Sequence, residues 1–154
     1  MKLLHVLALA LLLPVAAVAQ ETGPDAAEAA PSVAGPFAAG DAVLADQLYV
    51  RRPVVIFADS PNDPNFIRQM ELIGRGLDEL AVRDVIVVTD TDPAARSEWR
   101  KKLRPRGFSL VLMDKDLRPV IRKPLPWDVR EITHAIDKFP LRRQEIQQGN
   151  AAGG

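Results

Sequence analysis

The sequence predicts an α/β domain in the order βαβαββα, a central mixed sheet flanked by helices. Three observations carry that reading. Val54 to Ala58 and Val85 to Thr89 are short apolar, β-branched runs of the kind that fill strands buried on both faces. Each is followed by an Asp-Pro pair, Asp63-Pro64 and Asp92-Pro93, with the carboxylate placed to cap a helix and the proline at its first position. Phe108 to Met113 and Pro119 to Arg122 then form two more strands, joined through Asp114-Lys115-Asp116 as an antiparallel hairpin.

Taken in chain order, Lys2, the apolar stretch Leu3 to Val18 and Ala17-Val18-Ala19 read as a signal peptide over residues 1–19, cut after Ala19. Pro14 interrupts the apolar run, which is shorter than the about 20 residues a spanning helix needs, so no stable membrane anchor is expected after cleavage. Residues 20–40 are rich in Ala, Pro, Gly and acidic side chains without apolar period and read as a flexible spacer; 147–154 reads as a disordered tail. The folded domain is therefore expected over residues 41–146. Its first helix follows from Phe66, Met70, Ile73, Leu77 and Leu80 on one stripe, its second from Ala94 to Leu103. Its last runs from Trp127 to Lys138 and aligns Val129, Ile132, Ile136 and Phe139. Two parallel strands with crossover helices, closed by a hairpin and a terminal helix, is the order of a thioredoxin fold.

Composition excludes several function classes. Twenty basic and twenty acidic residues give a formal net charge of zero, which offers no global attraction to nucleic acid or an anionic membrane. The absence of cysteine removes disulfide staples, a catalytic thiol and a lipoprotein anchor.

Phe108 to Asp116, followed by Ile136 to Ile146, resembles the signature of the domain-of-unknown-function family numbered 4174, with Phe139 and Leu141 where that family usually has methionines. Arg83-Asp84 before the second strand and Gln69 after Pro64 add to the resemblance, which spans roughly Val54 to Ile146. It implies a thioredoxin-like fold and an exported bacterial or extracellular setting. Met113 and Leu117 stand where the hairpin pattern usually has glycines.

In a thioredoxin-like fold the reactive loop follows the first central strand, at the start of the next helix. Here it carries Asp59, Ser60, Asn62 and Asp63, a candidate binding loop. A serine nucleophile at Ser60, helped by Asp59 and Asn62, would need a base, and past the signal peptide the only histidine is His134, on the last helix. Pro105 lies three residues too early to be the proline that precedes the third strand in thioredoxin-like enzymes. Asp59, Asp63 and one amide fall short of the about six to eight oxygens calcium takes, so no metal is expected, and nothing implies a cofactor.

A second candidate is basic: Arg96, Arg100, Lys101, Lys102, Arg104 and Arg106, opposed only by Glu98. Such a cluster docks an acidic partner or a phosphate, or forms a solvated helix end that complements the dipole. Arg142, just past the last predicted helix, is expected as a structural lock reaching a carboxylate or the helix's last carbonyls. The combined expectation is a periplasmic or secreted, non-catalytic binding or adaptor module that engages another exported protein. The alternative is a non-thiol enzyme built on the Asp59-Ser60-Asn62 loop.

Overall fold

The computed structural model describes residues 34–152, with side chains through residue 149. The expected signal peptide, residues 20–33 of the spacer and the last two residues of the tail lie outside the described residues. Five strands form one mixed sheet: β1 (Phe37–Ala38), β2 (Arg52–Phe57), β3 (Val85–Asp90), β4 (Ser109–Met113) and β5 (Pro119–Lys123). Their order is β1-β3-β2-β4-β5, with β3 parallel to both β1 and β2 and with β4 antiparallel to β2 and β5. Helices α1 (Pro64–Gly74), α2 (Leu77–Ala81), α3 (Glu98–Leu103), α4 (Val129–Ile136) and α5 (Pro140–Ala152) complete the fold. This is the predicted α/β class, and the run β3-β2-β4-β5 is compatible with a thioredoxin-like topology.

The two faces of the sheet follow from alternation along β2. Val54 and Ile56 point into one core with Val85, Val87, Leu110 and Leu112, covered by Ile73, Leu80, Ile132 and Ile136. Val55 and Phe57 point into the other with Ile86, Val88, Val111 and Met113, covered by Trp99 and Leu103 of α3. Trp99 is fully buried, and its indole N–H donates to the Ala42 carbonyl at 2.8 Å, which fixes the segment before β2 against α3.

Four local expectations change. Residues 34–40 are not a free spacer: Ala34 is buried, its carbonyl accepts from the Val87 N–H, and Phe37–Ala38 pair with β3. Gly35 permits the close approach, since a Cβ there would sit 2.8 Å from the Val87 carbonyl oxygen. The first helical stripe breaks at Gly76, where a Cβ would sit 2.6 Å from Val129 Cγ1, so α4 crosses too closely for any side chain. The second helix is interrupted as well: Asp92 caps a 3-10 turn, Pro93–Ala95, and the chain reverses at Arg96 (φ 47°) before Ser97 caps the shorter α3. Finally, residues 147–152 continue α5 rather than forming a loose tail. Pro140 starts that helix, and its N-terminal turn is capped from a distance, as described below.

The outer edge at β5 is a poor template for further strand pairing. Pro119 has no N–H to offer, the register slips between Leu112 and Met113 opposite it, and Arg122 and Lys123 carry charge. Among the described residues no helix is long and apolar enough to cross a membrane.

Candidate functional site

The loop after β2 is largely occupied by its own geometry. Ser60 Oγ accepts from the Asn62 N–H at 3.1 Å, a short turn contact. Asp63 caps α1, accepting from the N–H groups of Asn65 (2.8 Å) and Phe66 (3.2 Å), with Pro64 in the first helical position as the sequence predicts. Asp59 and Asn62 are exposed. His134 is exposed on α4, and no hydrogen bond joins it to Ser60. The loop thus brings Ser60, Asn62 and Asp63 together as a turn and a cap, without assembling a base beside the hydroxyl. Among the described residues there is no group of three His, Cys, Asp or Glu placed to hold a metal ion.

The basic run divides. Arg100 does not belong to the surface: its Nε donates to Asp90 Oδ1 at 2.7 Å, and its Nη2 to the carbonyls of Ala58 (2.6 Å) and Asp90 (3.1 Å). The guanidinium also lies 5.4 Å from the Phe57 ring centroid. Asp90 is 5% exposed and accepts from Ser97 Oγ too, so this carboxylate gathers the start of α3 and the ends of β2 and β3. Consecutive cations in a sequence hide the helical period, which here turns Arg100 inward while Lys101 and Lys102 point out.

Arg96, Lys101, Lys102, Arg104 and Arg106 are exposed, and among the described residues no ion pair joins any of them to a carboxylate. Arg104 ends α3 in the left-handed conformation (φ 47°), its N–H donating to the Arg100 carbonyl at 2.8 Å. Glycine is the residue that fits this position without strain. A sixth cation joins them from β5: Arg122 donates through Nη2 to the Leu103 carbonyl at 2.7 Å and through Nη1 to Ser109 Oγ at 3.2 Å. Its pairing with Val111 puts it on the face of the sheet that α3 covers. Alternation along β5 was the signal for it in the sequence. Arg104, Arg106 and Arg122 surround a cleft of about 380 Å³ whose remaining walls are Phe108, Ser109 and Pro124. No acidic residue lines it.

The largest concentration of ion pairs lies elsewhere, and most of it was not visible as a unit in the sequence. Arg52 is fully buried on β2 and donates to Asp114 Oδ1 (3.1 Å), the Arg83 carbonyl (3.0 Å) and Glu145 Oε1 (2.9 Å). Lys115 bridges Asp84 (2.8 Å) and Glu145 (2.9 Å), while Arg83 holds both oxygens of Asp137 at 3.0 Å. Asp114 Oδ2 accepts from the Leu141 N–H at 3.2 Å, supplying to α5 the cap that its own neighbour Phe139 cannot. Arg142 reaches carboxylates as the sequence suggests, pairing with Asp137 (3.5 Å) and donating through Nη1 to Glu145 (3.4 Å), although its Nε makes no hydrogen bond. Gln69, also buried, exchanges hydrogen bonds with both backbone groups of Trp127, at 2.9 and 2.7 Å.

These partners set the charge states. Burial pushes the Glu145 carboxyl up, yet the hydrogen bonds and charges of Arg52 and Lys115 outweigh it and hold the group at about 2. The Arg83 fork, against some burial and with Arg83 and Arg142 charge in support, holds Asp137 below the usual carboxylate range.

Arg83, Asp84, Asp114, Lys115, Asp137, Arg142 and Glu145 are among the polar residues that carry the resemblance noted from the sequence, and the structure joins them with Arg52 in one network, while Gln69 separately holds the Trp127 backbone. The chain matches the domain of unknown function DUF4174 over residues 43–145. It belongs to that family. Comparison with curated proteins finds no match. In this DUF4174 domain the signature residues tie the hairpin, β2 and α5 together, and the basic cleft lies apart from them, between the segment that follows α3 and β5.

Proposed function

We propose that the domain is a non-catalytic binding module of an exported protein, and that it docks an acidic segment of another exported protein on the face formed by Lys101, Lys102, Arg104, Arg106 and Arg122. One observation carries this reading: Arg104, Arg106 and Arg122 converge on one cleft that no described carboxylate lines, and among the described residues no ion pair joins these five cations to a carboxylate, whereas the more buried Arg52, Arg83, Arg100 and Lys115 are each paired. Helix-end electrostatics accounts for little of the cluster. Helix α3 has six residues, and its terminal carbonyls already take the Arg104 N–H and the Arg122 guanidinium. Uncompensated like charges repel one another, a cost that a bound anion removes.

The reading is tested by in-cell crosslinking with a photoreactive residue at Lys102 in one version of the protein and at Asn62 in another. A specific protein adduct from Lys102, lost on raising salt during capture, is the expected result. Adducts from Asn62 alone would move the working face to the loop after β2, and none from either position would overturn the docking reading.

A further inference from the structure

We infer that the cleft between residues 104–108 and β5 is a socket for one apolar side chain of an acidic peptide segment, whose neighbouring carboxylates are held by Arg104, Arg106 and Arg122. The inference rests on the docking reading above and names what that face selects. The cleft is of mixed chemistry: three arginines line it together with the apolar residues Phe108 and Pro124. A bare anion would leave those walls unused, and an apolar ligand would leave three cations unanswered. Its volume of about 380 Å³ is near the lower end of the about 300–1,000 Å³ of small-molecule pockets, a size suited to a side chain.

Orientation supports the same ligand. Arg122 is fixed by the Leu103 carbonyl and Ser109 Oγ, which engage two of its five N–H groups and leave the others for a carboxylate. A guanidinium held in this way loses less freedom on binding than a loose one. The segment is read through side chains and not as an added strand, because Pro119 and the irregular register make β5 a poor pairing edge. Arg104 contributes despite its left-handed backbone, a conformation that glycine would adopt freely.

The test is fluorescence anisotropy with the purified full chain and two labelled peptides, one of glutamates flanking a single phenylalanine, the other with serine in its place. The phenylalanine peptide should bind about tenfold more tightly, the scale expected for burying an aromatic side chain only in part. Pro124→Glu should abolish that preference, and Arg106→Gln should weaken both peptides. Arg122→Gln should weaken them further; because Arg122 also bonds the fold, its melting temperature is measured alongside, and the exposed Arg106 keeps the test independent of folding. Equal binding of the two peptides overturns the socket, yet leaves the docking reading standing if charge reversal at Lys101 and Lys102 still abolishes it. Loss of peptide binding together with no crosslink from Lys102 overturns both.

Discussion

Arg52 on β2 and Glu145 on α5, 93 positions apart, meet through a 2.9 Å hydrogen bond from a guanidinium with no solvent exposure. The same guanidinium meets the carboxylate of Asp114, which in turn caps α5 through Leu141. Burying a charge costs several kcal/mol unless every partner is in place, so a group held this way couples the elements it touches. The hairpin, the central strand and the last helix therefore stand or fall together.

Replacing Arg52 with Met keeps much of the volume and removes the charge. Asp114, its side chain 4% exposed, would then be a buried carboxylate without its cation. The expected loss is about 3–5 kcal/mol of unfolding free energy in a denaturant titration, the range for breaking one side of a buried pair. Hydrogen exchange should quicken first in α5. A loss below about 1 kcal/mol, the scale of an exposed pair, would show that apolar packing and not the ionic network holds α5.

The same network gives a pH dependence with a definite sign. Glu145 is held at about 2 in the folded protein against an ordinary value of 4.5, and Asp137 is lowered as well. A carboxyl with a lowered folded value contributes its full stabilisation above the ordinary value and loses it as pH falls through the folded one. Melting temperature should therefore drop between about pH 5 and pH 2 more steeply in the parent protein than in Glu145→Gln, which is less stable at neutral pH but has no proton to gain there. Parallel curves for the two proteins would mean that Glu145 does not carry the linkage.

How much of this was legible in the sequence depended on the range of the interaction. The Asp63-Pro64 cap, the strand runs and the hairpin are set by neighbours within a few positions, and their structural counterparts lie where the pattern puts them. The need for glycine at position 76, in the break between α1 and α2, comes from Val129 more than fifty residues on, and a stripe of apolar residues cannot show it. Arg52 carried no signal of its own in the sequence, because its partners Arg83, Asp114 and Glu145 lie 31 to 93 positions away. The basic candidate was half legible. Its cations lie close together in sequence, but the inward turn of Arg100 depends on Asp90, and the arrival of Arg122 depends on the register of β5.

Arg104 separates stability from binding. Its left-handed backbone costs an L-residue about 1 kcal/mol that glycine does not incur, and among the described residues its side chain makes no ion pair. Arg104→Gly should therefore raise unfolding free energy by up to about 1 kcal/mol, a rise of a few degrees in melting temperature. The same change should weaken acidic-peptide binding and crosslinking at Lys102. A variant that is more stable but binds less is the signature of a residue retained for its ligand, since strain at a non-glycine position persists where the side chain is needed. If Arg104→Gly instead destabilised the domain, the guanidinium would be supporting α3 or the cleft wall, and its place in the docking face would pass to Arg106 and Arg122 alone.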